Sequence, residues 1–199
     1  PLTLILGPLE DMQKETSLPA KQAQKLSVIH QSALRLLNLI NQILEFRKTE
    51  TQNKKLCVSK GNIAPLIHEI GLKYKELNQK TKIDFQIQIE KEEMLLFFDK
   101  EIITIVLDNL ISNAIKYTEQ GRVTLSLYQT MRNEVAYTEI KVSDTGYGIS
   151  AEALPHIFDR YYQESGKHQA SGTGIGLALV KNLVTLHEGE IRAESMQNE

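Results

Sequence analysis

The chain predicts a two-layer α/β sandwich, a mixed sheet with helices on one face, preceded by a helical hairpin that forms a dimeric bundle. Three observations carry this. Leu26, Ile29, Ala33, Leu36, Ile40 and Ile43 recur at spacings of three and four, a heptad seam on one long helix. From residue 56 onward, short alternating runs interleave with helical runs, in an order that suits mostly antiparallel strands under helices. A polar stretch, residues 49–55, separates the two patterns and divides the chain into residues 1–50 and 51–199.

At the start of the chain, Leu2, Ile5, Leu6 and Leu9 form one apolar face, and Pro1 suits a first helical turn. Glu15 to Pro19 reads as the turn of the hairpin. Leu37 and Leu44 widen the seam on the long helix. Residues 2–13 are too short to cover that apolar side, so a second copy of the chain is expected against it; an arm lying on the rest of the domain is the alternative. Leu56-Cys57-Val58 reads as a short strand, Ile63 to about Gln79 as an amphipathic helix, and Ile83 to Ile89 as an alternating strand. Leu95 to Phe98 reads as a buried strand and Lys100 to Tyr117 as a helix. Val123 to Tyr128 and Tyr137 to Val142 are strands joined through residues 131–134. Residues 150–171 are polar around a short Phe158–Tyr162 core. Gly174 to His187 is a helix, and Glu190 to Ala193 begins a last strand.

Composition removes several classes of function. Apolar content of 41% and charged content of 24% are those of an ordinary globular protein. A net charge of −2 gives no reason to expect nucleic acid as a partner. The single Cys57 leaves no intramolecular disulfide, and five scattered histidines offer no zinc spacing. No apolar run reaches the roughly 18 residues of a membrane span, and no basic, apolar leader opens the chain. It starts at Pro1 without an initiator Met and is expected to be a piece of something longer.

Three segments carry chemistry. Asp144-Thr145-Gly146-Tyr147-Gly148-Ile149 places a carboxylate at a strand end, followed by glycines that admit a ligand to the backbone. Asn109, Asn113 and Lys116 sit at i, i+4 and i+7 on a helix and line one stripe, with Tyr117 after them. Such a stripe is usually a solvated face, but two Asn inside a helix cost propensity and call for another reason. Amide oxygens can complete the shell of a Mg2+ held mainly by phosphates, and a lysine can meet those phosphates. Gly172-Thr173-Gly174-Ile175-Gly176-Leu177 opens a helix whose first amides suit phosphate. The preceding stretch is too polar to be the strand of a dinucleotide-binding turn, and Gly166-Lys167 lacks the spacing of a P-loop. Asp-Thr-Gly is also the signature of aspartic proteases, which would not need Gly148.

Asn109-x-x-x-Asn113-x-x-Lys116-Tyr117, then Asp144-x-Gly146-x-Gly148-Ile149, then Phe158, then Gly172-x-Gly174-x-Gly176-Leu177 resembles, in that order, the N, G1, F and G2 boxes of sensor histidine kinases. The match runs from about Leu95 to Glu194. The upstream helices resemble the dimerisation and phosphotransfer hairpin of the same family. The opening Pro-Leu-Thr-Leu-Ile resembles the residues just after a His-Glu-x-Arg-Thr phosphoacceptor motif, particularly in hybrid kinases.

The resemblance implies a Bergerat-type fold that binds ATP and Mg2+. Asp144 would accept a hydrogen bond from the adenine amino group, with Ile149 closing the box after Gly146 and Gly148. Asn109 and Asn113 would hold Mg2+, Lys116 would meet phosphate, and Tyr117 would lie beside the base. Residues 150–173 would form a lid anchored by Phe158 and hinged by Gly172, Gly174 and Gly176, with Thr173, Ile175 and Leu177 alongside. Arg160 and Gln163 are further candidates for phosphate or Mg2+. The implied reaction is transfer of the γ-phosphoryl group to a histidine, for relay to the Asp of a response-regulator receiver domain. The acceptor would lie upstream of Pro1, so these residues alone are expected to bind ATP without phosphorylating themselves. The whole would be the cytoplasmic portion of an inner-membrane sensor that acts as a homodimer. The related ATPases of gyrase, mismatch repair and chaperones are the alternative, but they place a Glu as general base where this chain has Asn109. A dimerising scaffold that ignores nucleotide is a third reading. The last strand of the family's sheet is expected to be incomplete.

Overall fold

The computed structural model describes residues 3–14, 19–51, 54–78, 82–132, 134–163 and 173–197. The chain divides into two compact units, Pro1–Lys48 and Thr49–Glu199.

The first unit is built from α1 (Thr3–Lys14) and most of α2 (Ala20–Glu50). Pro8 lies inside α1, where its missing N–H interrupts the helical ladder. The Pro19 carbonyl accepts from the N–H groups of Gln22 and Ala23 and starts α2. Residues 15–18 of the expected turn lie outside the described residues. The expected seam divides. Leu26 and Ala33 are buried, with Leu6 and Phe46, whereas Ile29, Leu36, Ile40 and Ile43 stay exposed beside Val28 and Leu44. Apolar residues thus occupy more of the α2 surface than this unit covers by itself.

The second unit contains β1 (Ser59–Asn62), α3 (Ile63–Leu77), β2 (Ile83–Ile89), β3 (Leu95–Phe98), α4 (Lys100–Tyr117), β4 (Gly121–Arg132), β5 (Val135–Asp144) and α5 (Gly176–Leu186). β1 and β3 pair antiparallel as a small separate ribbon, and the larger sheet has the order β2-β4-β5. β4 runs parallel to β2 and antiparallel to β5, so this sheet is mixed. Along β4, Val123, Leu125 and Leu127 are fully buried while Thr124, Ser126 and Tyr128 are only half-buried. The alternation places one face against Ile67 of α3 and Leu107 and Ile111 of α4. Each such side chain contributes about 2 kcal/mol by leaving water. Gly71 lets α3 close on the sheet, since a Cβ there would lie 2.7 Å from Cδ1 of Ile87.

Several expectations need correction. Residues 56–58 form no strand, because the Cys57 N–H donates to the Asp99 carboxylate at 2.7 Å instead of to a ladder. Leu95–Phe98 is a strand but not a buried one. Phe98 is buried, whereas Leu95 and Phe97 are exposed, as a ribbon covered on one face requires. β4 and β5 extend through most of the connection expected at 131–134, and Glu134 turns the chain at φ 64°. The final helix begins at Gly176, because Gly174 holds φ 68°, outside any right-handed helix. Residues 190–193 form no strand, although burial still alternates there: Ile191, Ala193 and Ser195 are half-buried and Arg192, Glu194 and Met196 exposed.

Candidate functional site

α4 is the wall from which the site is built. Its start is fixed by Asp99, 4% exposed, whose carboxylate accepts from the N–H groups of Cys57, Glu101 and Ile102. Burial pushes this carboxyl up, but those three donors and the charge of Lys54 outweigh it and hold it below the usual carboxylate range. The Asp99 N–H in turn donates to Nε2 of His187, just past the end of α5.

Asn109 is buried, at 8% exposure. Its Nδ2 donates to the Ile105 carbonyl at 2.8 Å. Its Oδ1 lies 2.9 Å from where a Cβ on Gly176 would stand, so α5 opens against this amide and glycine is needed there. Asn113 is half-buried one turn on, and Lys116 is exposed. The Lys116 ammonium donates to the Tyr117 hydroxyl at 3.1 Å and stands 4.6 Å from that ring's centre. The neighbouring carboxylate, Asp108, points elsewhere: it accepts from Tyr74 Oη at 2.9 Å and from Lys73 Nζ at 3.1 Å. Burial, and then the charge of Asp108, pushes the Tyr74 hydroxyl well up.

Asp144 is exposed at the end of β5, opposite the fully buried Val123. Its Oδ1 accepts from the Gly146 N–H at 2.9 Å, which turns the chain. Thr145 continues the ladder by side chain: its N–H donates to the Arg122 carbonyl, and its Oγ1 accepts from the Arg122 N–H at 2.9 Å. The glycines serve the protein's own packing. A Cβ on Gly146 would stand 2.3 Å from the Tyr117 carbonyl oxygen, and one on Gly148 2.3 Å from the Met196 carbonyl oxygen. The Tyr147 N–H donates to that same Tyr117 carbonyl, so the loop after β5 is docked on the end of α4. Ile149 is half-buried, and its N–H donates to Ser195 Oγ. Thr145 and Ser195 were missed because a side chain replacing a backbone acceptor leaves no periodic signal in sequence. Asp99 was missed as well, because a hub for residues 42 and 88 positions away leaves no local signal.

Beyond the 3₁₀ turn Leu154–His156, Phe158 is half-buried. Arg160 pairs with Glu50 of the same unit, so it is engaged as a surface ion pair; Gln163 is exposed. The Tyr161 N–H, at a residue with φ 61°, donates to the Gly174 carbonyl at 2.9 Å. A Cβ on Gly174 would meet the Tyr161 backbone at 2.6 Å, so only glycine allows this close approach. Gly172 lies outside the described residues. The Thr173 hydroxyl accepts from the Ile175 N–H at 3.4 Å, and Ile175 precedes α5 without capping it by side chain. The first amides of α5, at Gly176 and Leu177, therefore carry no side-chain cap.

α4 thus unites the asparagines, the docked 144–149 loop and the start of α5. A separate cleft of about 560 Å³ lies on the other, polar face of the β2-β4-β5 sheet, lined by Gln86, Gln88, Arg122, Thr124, Ser126 and Lys141. None of those belongs to the constellation.

Two family models match parts of the chain. Residues 98–199 match the histidine kinase-, DNA gyrase B- and HSP90-like ATPase family, and residues 1–52 match the His Kinase A (phospho-acceptor) domain. The chain belongs to the sensor histidine kinases. It is 36% identical over 198 residues to histidine kinase P4 of Formosa agariphila, covering 96% of this chain and 14% of that protein. It is 32% identical over 196 residues to hybrid signal transduction histidine kinase D of Dictyostelium discoideum, covering 96% of this chain and 13% of that protein. The chain therefore spans about one-seventh of the length of these relatives. The fold matches full-length ShkA in complex with AMPPNP at a TM-score of 0.71, with 22% identity, covering 98% of this chain and 42% of that one.

A histidine kinase core with an ATP-binding domain raises the question of Mg2+. Among the described residues no cluster of three His, Cys, Asp or Glu side chains is placed to hold a metal. Asn109 has its Nδ2 committed to its own helix and its Oδ1 on the side of Gly176. Neutral oxygens of this kind fit a Mg2+ whose charge is met by phosphates, and do not fit a metal held by protein alone.

Proposed function

We propose that this histidine kinase core binds Mg-ATP on α4, the 144–149 loop and the start of α5, and donates the γ-phosphoryl group to a histidine of a helical hairpin, for relay to an Asp of a response-regulator receiver domain. The single observation that carries this is Asp144: an exposed carboxylate at a strand end, oriented by the Gly146 N–H on a loop docked to α4. One carboxylate oxygen held by the turn leaves the other to accept from an exocyclic amino group. Tyr117, 38% exposed, would flank the base, and Lys116 would exchange its contact with the Tyr117 hydroxyl for phosphate. The uncapped amides of Gly176 and Leu177 favour negative charge at the helix start. Asn109 and Asn113 would hold Mg2+, which when bound neutralises phosphate charge. Phe158, Thr173, Gly174 and Ile175 would frame the lid.

Transfer is favoured over hydrolysis by what lies on α4. Asn109 cannot take a proton, and the adjacent Asp108 is engaged by Tyr74 and Lys73. No positioned base for water is present among the described residues of the helix, and a histidine nitrogen needs none. The acceptor is not one of the histidines here. His187 accepts from Asp99, His156 stands 2.9 Å from Asp159, His30 and His68 lack an acid-x-x-Thr context, and His168 belongs to the expected lid, residues 150–173. The exposed Val28, Ile29, Leu36, Ile40, Ile43 and Leu44 support a homodimer through the hairpin. No helix among the described residues is long and apolar enough to cross a membrane. A membrane anchor in the whole sensor is part of the proposal.

Incubation with γ-labelled ATP and Mg2+ tests the reading. Saturable binding with slow phosphate release and no label on the chain is expected. Rapid release of phosphate would favour the ATPase alternative, and label on the chain would overturn the assignment of the acceptor.

A further inference from the structure

We propose that Ser195 is a positioning residue for the base-binding loop: its hydroxyl accepts the Ile149 N–H and fixes the far end of the segment that carries Asp144. The proposal rests on the reading of Asp144 as the contact to the base. Several bonds tether the loop, among them one from the Tyr147 hydroxyl to the Glu119 carboxylate at 2.8 Å. Thr145 joins it to Arg122 of β4, and the Tyr147 N–H joins it to the Tyr117 carbonyl of α4. A further bond, from the Ile149 N–H to Ser195 Oγ at 2.9 Å, reaches across 46 residues to a segment without regular structure.

That segment is itself held in place. Arg132 lies 3.6 Å from Glu190, and Arg192 lies 3.9 Å from Glu139. Glu139 also accepts from Tyr128 Oη at 2.6 Å and from Arg132 at 2.8 Å. The hydrogen bond from Tyr128, together with the two arginines, holds the Glu139 carboxyl below the usual range, so it stays ionised and keeps its partners. The backbone of Met196 then packs on Gly148, whose φ of 73° and missing Cβ admit the carbonyl oxygen. Alternation of burial over 191–196 turns Ser195 toward the loop and Met196 outward. Residues 190–196 therefore form a strap along one side of the base-binding loop, bonded to it through the Ser195 side chain.

The consequence is specific. Removing the hydroxyl leaves a half-buried N–H without its acceptor and frees the loop at Ile149, while Asp144 and both loop glycines, Gly146 and Gly148, remain. Mg-ATP titration of the chain and of Ser195→Ala, Ser195→Thr and Asp144→Asn reads it. Ser195→Ala is expected to weaken binding about fivefold, the worth of one ordinary hydrogen bond, with Ser195→Thr within about twofold of the unaltered chain. Hydrogen exchange at the Ile149 amide is expected to quicken in Ser195→Ala without nucleotide and to be restored in Ser195→Thr. Unchanged affinity and exchange in Ser195→Ala, in a chain that binds ATP and loses it on Asp144→Asn, would overturn the role of Ser195 alone. Equal weakening by Ala and Thr would also overturn it, because packing and not the hydroxyl would then be at stake. Absence of saturable ATP binding by the unaltered chain would overturn the donor-site reading together with this role.

Discussion

Gly146→Ala tests whether the loop glycine serves the protein or the ligand. The added Cβ would stand 2.3 Å from the Tyr117 carbonyl oxygen, whereas ordinary contact begins at 3.4 Å, so backbone must separate by about 1 Å. Both sides are main chain: Tyr117 ends α4, and Gly146 lies just beyond β5. Separation breaks the bond from the Tyr147 N–H to Tyr117, already 3.3 Å long, and disturbs the 2.9 Å bond from the Gly146 N–H to Asp144. At about 1 kcal/mol each, the loss of stability is about 2 kcal/mol, before any cost of crowding. A unit of this size then melts about 4–8 °C lower. The assay is thermal and urea unfolding of the nucleotide-free protein, followed by ATP titration. A lower midpoint without nucleotide, accompanied by weaker binding, is the expected result. An unchanged midpoint with binding alone impaired would refute the reasoning, since the glycine would then matter only to the approaching ligand.

Two further outcomes are expected from the same structure. Asp99→Ala removes the acceptor of three N–H groups at the start of α4 and is expected to cost about 3 kcal/mol in urea unfolding. Because the folded state holds this carboxyl below its usual range, its contribution is complete above the carboxylate pKa of the unfolded chain, near 4. It fades as pH falls through that value and then through the folded one, so the stability gap between the two proteins should narrow in acid; a constant gap down to pH 2 would contradict it. Ile40→Glu, at an exposed apolar position of α2, is expected to shift the chain from dimer to monomer in analytical ultracentrifugation while leaving ATP binding intact; an unchanged dimer would remove that face from the interface.

Much of the second unit was legible because its elements obey single periods. Lys100–Tyr117 and Ile83–Ile89 emerge with the bounds that their 3.6-residue and two-residue patterns give. What failed was decided by partners distant in sequence. The Cys57 amide was diverted from a ladder by Asp99, and the strand read at 190–193 became a strap held by ion pairs with the β4-β5 hairpin. The site shows the same division. Residue types at Asn109, Asp144, Gly146 and Gly174 stood out in the sequence, because an Asn inside a helix or a Gly after a strand is costly without a reason. The reason itself was not legible. Gly146, Gly148 and Gly174 admit Tyr117, Met196 and Tyr161 of the same chain, contacts between residues far apart in sequence that leave no periodic signal. Likewise the stripe of Asn109, Asn113 and Lys116 grades from buried to exposed along α4, so its first member packs α5 while its last lies on Tyr117.

The central claim is that Asp144 is the base contact of a phosphoryl-donor site. Calorimetric titration with Mg-ATP of the unaltered chain and of Asp144→Asn, which keeps size and the capacity to accept from Gly146 but removes the charge, tests it most directly. Saturable binding by the unaltered chain, weakened about 10-fold or more in Asp144→Asn as loss of a charge-assisted hydrogen bond demands, with unfolding midpoints alike, is the expected result. Equal affinity in the two proteins, or no binding by either, would contradict it.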